Sequence, residues 1–204
     1  ALFIMGFGLK ASAVPFHAWL PDAHPSAPAP ISAMLSGVLI KALGIYTIMR
    51  IMFNIIGKHE MISAILMFLG ALSMVIGGLL AVGQKDFKRM LAYSSISQMG
   101  YVLIALGLAL KPGAEVIVAS LALIGGLFHL VNHAVFKSLL FLASGAVEYR
   151  TGTRDLSKLG GLIRKMPVTG TATAIGSFSI AGIPPFNGFW SKLIIILALF
   201  KGGF

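Results

Sequence analysis

Residues 116–147 read VIVASLALIGGLFHLVNHAVFKSLLFLASGAV, and this stretch decides the fold. A helix needs about 20 predominantly apolar residues to cross a bilayer. This run is longer than that, and only His129, His133 and Lys137 interrupt it. The three stand at i, i+4 and i+8, so on a helix they share one face, one turn apart. Imidazole titrates near pH 6.5, about where a proton can be taken and returned with little driving force. Histidines at i, i+4 also fit metal ligation. No Asp, Glu or Cys accompanies them at membrane depth, so no metal and no cofactor is expected. The bland alternative is hydrogen bonding between helices; a titratable row of three favours a relay.

Further runs of spanning length lie on both sides. Met61 to Gly83 is uncharged, Met90 to Leu110 follows it, and Pro30 to Met49 carries Lys41 near its middle. Two other segments are broken. Ala1 to Leu20 holds Lys10 and is interrupted at Pro15. Met166 to Phe200 is interrupted by Gly182, Pro184, Pro185 and Gly188, with Lys192 just beyond. Freed backbone groups in a membrane helix are tolerated only where protein or a wet cavity satisfies them. The breaks echo each other: Val14-Pro15-Phe16-His17 with Trp19, and Pro184-Pro185-Phe186-Asn187 with Trp190. Paired interrupted helices point to a repeated transporter fold with a central site. The expected fold is therefore all-α, a polytopic transmembrane helical bundle.

Composition agrees. Apolar residues are 57% and charged residues 11% of the 204, a surplus no soluble domain of this size needs. Cysteine is absent, which removes disulfides, thiolate metal sites and iron–sulfur ligation. The formal charge of +10 does not indicate nucleic acid, because much of it lies in short loops between apolar runs. Alternating spans put Lys85, Lys88, Arg89, Arg150, Arg154, Lys158, Arg164 and Lys165 on one side and Arg50, Lys58, Lys111 and Lys201 on the other. Eight against four favours the first side as cytoplasmic, or matrix/stromal in an organelle. The chain starts inside one apolar run and ends just after another, so a fragment of a longer membrane protein is expected.

An ionisable group at membrane depth costs a few kcal/mol or more (about 2.5–3.5 on insertion scales) and usually faces an interior cavity on an ion path. Lys10, Lys41, His129, His133, Lys137 and Lys192 are the candidates for a proton path. Lys41 sits too far from either end of its span to snorkel, whereas Lys192 also fits a helix-end lysine. Ser94, Ser95, Ser97 and Gln98 form a polar cluster that either lines the path or bonds neighbouring helices. Gly77-Gly78 and Gly125-Gly126 read as close helix contacts, and Lys85 to Arg89 as a solvated loop.

At these residues the chain resembles the antiporter-like subunit family of respiratory complex I, Mrp-type cation/proton antiporters, membrane-bound hydrogenases and formate hydrogenlyases. The carrying motifs are Lys10 with Pro15-Phe16-His17-Ala18-Trp19-Leu20-Pro21-Asp22-Ala23-His24, then Gly37 to Lys41, Asp86 to Gly100, His129 to Leu140, and Ala181 to Phe186. The resemblance implies a 14-helix inverted-repeat fold, of which this chain covers about helices 7–12. It implies the end of one repeat in 1–57 and most of the second in 58–204. It aligns Lys10 with the lysine at the break of the seventh helix and Lys41 with the central lysine of the eighth. His129, His133 and Lys137 align with connecting residues, and Lys192 with a twelfth-helix position. His17, Asp22, His24, Ser94 and Gln98 are secondary candidates.

The expected function is proton, or cation/proton, translocation as a pump subunit of a redox-driven complex or an Mrp antiporter, with no independent enzymatic activity. Partners are the lipid bilayer and other membrane subunits of a respiratory, hydrogenase or antiporter complex, with no nucleic acid. The expected location is a prokaryotic cytoplasmic membrane, with an organelle inner membrane as the second reading. Alternatives are a quinone-site subunit, to which His17 and Trp19 would contribute, and a passive helical scaffold.

Overall fold

The computed structural model describes residues 2–39 and 42–204. Lys41 therefore lies outside the described residues. Ten α-helices are described: α1 (Leu2–Ala11), α2 (Leu20–Ser26), α3 (Ala29–Met34), α4 (Thr47–Ile51), α5 (Glu60–Val82), α6 (Phe87–Ala109), α7 (Val116–Thr151), α8 (Leu162–Lys165), α9 (Pro167–Ala181) and α10 (Asn187–Lys201). The stretch from Ala29 to Ile56 also contains three π-wound turns, Leu35–Leu39, Ala42–Tyr46 and Met52–Ile56. Such turns are rare and frequently occur at functional sites.

Helix α6 is the centre of the bundle. Its 23 residues, at 1.5 Å each, span roughly 34 Å, enough for the hydrocarbon core. Of its most apolar stretch 83% is buried, against 28% for α5, which turns most of its surface outward. In lipid there is no hydrophobic drive between helices, so small residues that admit close backbone approach do the joining. Glycines supply it here. A Cβ at Gly70 would sit 2.8 Å from Gly100 O, and one at Gly77 would sit 2.6 Å from Ser97 N. Ser63 Oγ donates to Gly107 O at 2.7 Å, and Ser97 Oγ donates to Met74 O at 2.9 Å, closing the same seam. Helix α7 packs along another face of α6 and continues beyond it for 36 residues in all, ending on left-handed Gly152.

Both interrupted segments are broken where the proline and glycine pattern puts them. Helix α1 ends at Ala11, and the chain resumes as α2 at Leu20; α9 ends at Ala181 on left-handed Gly182, and α10 begins at Asn187. Helix α6 separates two loop clusters. At its start, Arg89 pairs with Asp22 at 3.0 Å and Arg154 with Asp86 at 3.3 Å, so residues 21–29, 84–89 and 148–165 meet on one side. At its end, Lys111, Glu115 and Lys201 line one pocket. Alternating spans put the members of each of these two sets on one side.

The Lys85–Arg89 loop departs from expectation. Asp86 caps α6 by accepting from Arg89 N at 3.0 Å. Lys88 is only 3% exposed; it pairs with Glu148 at 3.1 Å and donates to Ala27 O at 3.1 Å. The reason is the overshoot of α7, which carries Glu148 past the end of its apolar run and onto the first turn of α6.

Candidate functional site

Helices α6 and α7 run antiparallel and face each other with matched polar rows. On α6 these are Ser94, Gln98 and Tyr101; on α7 they are Lys137, His133 and His129. Lys137 is fully buried and donates to Ser94 Oγ at 2.6 Å and to Leu91 O at 2.7 Å. The imidazole of His129, also fully buried, lies 5.7 Å from the Tyr101 ring centroid. With those two pairs fixed, register puts Gln98 level with His133, one turn from each. Phe136 lies against both imidazoles, 6.3 Å from His129 and 5.4 Å from His133 between ring centroids.

The row continues into the second break. His129 Nδ1 is 2.9 Å from Ser191 Oγ, whose hydroxyl donates to Gly188 O at 3.2 Å. The Ser191 hydroxyl thus stands within hydrogen-bond reach of both Nδ1 and Gly188 O, and the other imidazole nitrogen is Nε2. That Nε2 is buried and has no hydrogen-bond partner among the described residues. Lys192 follows Ser191. Its ammonium donates to Ile180 O at 2.7 Å and lies 4.9 Å from the Tyr101 ring centroid. Tyr101 thus stands between His129 and Lys192, a π face toward a cation. Asn132 and Asn187 brace the break: Asn132 Nδ2 donates to Asn187 O at 3.0 Å and Asn187 Nδ2 to Asn132 Oδ1 at 3.2 Å.

The structure thus brings Lys137 to Ser94 and links His129 through Ser191 and Tyr101 to Lys192, with His133 on the same face of α7 and Gln98 on the facing helix. It does not bring Lys10 to them: Lys10 is exposed in the last turn of α1. His17 is half-buried in the first break, and Asp22 is exposed and paired with Arg89. His24 is fully buried and stacks on Phe141 at 4.5 Å between ring centroids. Tyr101, Asn132, Asn187 and Ser191 were not evident as site residues from sequence. Counting 3.6-residue turns along α6 from Ser94 finds Tyr101; for Ser191, adjacency to Lys192 is the only signal.

Over residues 1–204 the sequence matches the family described as NADH:quinone oxidoreductase/Mrp antiporter, TM. It is 40% identical over 205 residues to hydrogenase-4 component B of Escherichia coli, covering 98% of this chain and 30% of that protein. It is 43% identical over 205 residues to a Na(+)/H(+) antiporter subunit of Alkalihalophilus pseudofirmus, covering 98% of this chain and 25% of that one. The chain thus spans about a quarter to a third of the length of these curated relatives. Its fold matches the Mrp complex from Dietzia sp. DQ12-45-1b with a TM-score of 0.86 at 35% identity, covering 98% of this chain and 36% of that one. It matches an archaeal membrane-bound sulfane sulfur reductase with a TM-score of 0.84 at 35% identity, covering 98% and 42%. The chain belongs to the NADH:quinone oxidoreductase/Mrp antiporter transmembrane family, as an all-α, membrane-spanning segment with two broken helices.

Proposed function

We propose that this chain conducts protons, or exchanges cations for protons, along the row Lys137–His133–His129–Lys192. The observation that carries the reading is the continuity of that row. Three fully buried titratable side chains stand one turn apart on α7, and the fourth, Lys192, is reached through Ser191 and Tyr101. A scaffold needs no such series, since each buried ionisable group costs folding energy that an apolar residue would not. Lys10 and Lys41 are proposed to belong to the same path, upstream of the row.

Charge on one member shifts the proton affinity of the next through Coulomb coupling, which is stronger here than in water. Moving a proton against 100 mV needs about 2.3 kcal/mol. One pKa unit is worth about 1.4 kcal/mol, so modest coupling between neighbours covers the work. The driving force is assigned to a partner subunit, through redox chemistry of the NADH dehydrogenase or hydrogenase type or through a cation gradient of the Mrp type. The proposed setting is a multisubunit complex in a prokaryotic cytoplasmic membrane. In inverted vesicles carrying the full complex, Lys137→Ala is expected to cut proton translocation at least tenfold while the complex still assembles. Wild-type translocation in that variant would remove Lys137 from the path.

A further inference from the structure

The sequence from Leu156 to Phe204 holds five cations, Lys158, Arg164, Lys165, Lys192 and Lys201, and no carboxylate. Lys158 pairs with Asp155 at 3.7 Å, and Lys192 donates to Ile180 O at 2.7 Å. Arg164 and Lys165 stand exposed at the end of α8, with no ion-pair partner among the described residues. Beside them is a pocket of about 240 Å³. Phe87 of α6, Val147 of α7, Leu159, Leu162 of α8, Met166 and Thr169 line it. Thr169 and Thr173 are its only hydroxyl-bearing lining residues, and Thr173 Oγ1 donates to Thr169 O at 2.7 Å. Such a wall suits hydrocarbon and gives a polar ligand little to pair with. Sequence fixes the depth. Val147 closes the apolar run of α7 and Met166 opens the next, so the pocket lies where hydrocarbon meets headgroups on the positively charged side. The turn between them is seated on α9, since a Cβ at Gly170 would lie 3.0 Å from Ile163 Cγ1.

We propose that this pocket, with Arg164 and Lys165, binds an anionic phospholipid from the leaflet on the positively charged side. One acyl chain enters the pocket and the phosphate lies between the two cations. The site is separate from the proton path and does not depend on that reading. Charge complementarity identifies the headgroup. Two adjacent cations without a carboxylate partner are free to take a phosphate; a guanidinium offers it a bidentate fork, and an ammonium adds a point charge. Basic residues at this level are attracted to anionic lipid. A zwitterionic headgroup would bring its own ammonium against them. Size identifies the tail. A space of 240 Å³ is roughly 6 Å across, too narrow for a partner helix of about 10–12 Å and wide enough for an extended hydrocarbon chain. Ile163, 57% exposed, and Val168, 80% exposed, carry the apolar surface outward for the rest of the lipid.

Photolabelling tests this. The full complex is placed in phosphatidylcholine vesicles containing a small fraction of phosphatidylglycerol with a diazirine in its acyl chain, and cross-linked peptides are mapped by mass spectrometry. The expected result is label on Leu159, Leu162 or Met166, lowered about tenfold or more by Arg164→Gln with Lys165→Gln. Phosphatidylcholine bearing the same diazirine is expected to label these positions weakly in both proteins. Equal labelling by the two lipids, or labelling that the double variant leaves unchanged, overturns the anionic site. Absence of lipid label, including the case in which the pocket residues cross-link to a partner subunit, overturns lipid occupancy. Both cations are exposed, so assembly is expected to survive their replacement, and co-purification of the partner subunits checks it. Arg164→Lys with Lys165→Arg keeps the charge and is expected to keep the label, which a general loss of structure would not. Leu162→Trp fills the pocket and leaves the charge in place. It is expected to cut labelling of Met166, and unchanged labelling in that variant puts the chain elsewhere and overturns the pocket.

Discussion

The two broken helices carry the same proline–aromatic punctuation and solve the same problem with different groups. Each break exposes carbonyls at the end of its first half-helix, and those carbonyls need donors. In the first break, Leu9 O takes the indole N–H of Trp19 at 3.0 Å and the backbone N–H of Ser12 at 3.0 Å, and Lys10 is exposed on this segment. In the second, Ile180 O takes the ammonium of Lys192 at 2.7 Å, and Trp190 is half-exposed. One break is therefore capped by a neutral donor and the other by a cation. Within this segment the two interruptions place their lysines differently. Only in the second break is the charge built into the backbone repair, where the negative end of α9 favours it.

The largest effect that bears on this contrast is expected at Lys41, which lies between the breaks in sequence. Lys41→Ala should abolish proton translocation in reconstituted vesicles with assembly retained, and unchanged translocation would remove it from the path. Lys192→Ala should cut translocation at least tenfold by both removing a charge and orphaning Ile180 O. If the breaks are functional equivalents, Lys10→Ala matches it; a variant with normal fluorescence-quench rates would break that equivalence. Gly182 has a φ of +80°, and a Cβ there would lie 3.1 Å from Lys192 Cδ. Gly182→Ala is expected to cost about 1 kcal/mol or more and lower the melting temperature, since a side chain strains left-handed backbone. Trp19→Phe removes one neutral hydrogen bond, about 0.5–1.5 kcal/mol, and should leave most translocation intact.

The smallest effect lies outside the membrane. Hydrogen bonds from Ser157 hold the Asp155 carboxyl below its ordinary value of 3.8. A depressed carboxyl contributes stability that is present above the ordinary value and lost as pH falls through the lowered one. Ser157→Ala should therefore lower the melting temperature slightly at neutral pH and leave it unchanged at the acid end, which flattens the acid limb of a melting-temperature series.

Much of this architecture was legible before the structure. The 20-residue rule found the spans, and proline with glycine marked both breaks, because lipid forbids unpaired backbone so strictly that hydropathy and helix breakers suffice. The i, i+4, i+8 spacing placed His129, His133 and Lys137 on one face. The opposing face on α6 was only partly legible. Ser94 and Gln98 stood out as polar, but Tyr101 is common in membrane helices and declares its place only when α7 supplies His129. The burial of Lys88 was illegible for a related reason. Its partner Glu148 lies 60 residues away, and the meeting depends on how far α7 overshoots.

The glycine seam between α5 and α6 divides the molecule mechanically. With backbones meeting at Gly70, Gly77, Gly100 and Gly107, α6 has no slack to slide or tilt against α5. The π-wound stretch from Leu35 onward has the opposite character, because each wide turn can shed or gain a residue as its hydrogen bonds shift register. Helices α5 and α6 therefore form one tightly joined pair. Ser36, in the first of those wide turns, meets Ser95 of the tightly joined pair at 3.1 Å, so the two kinds of winding touch there.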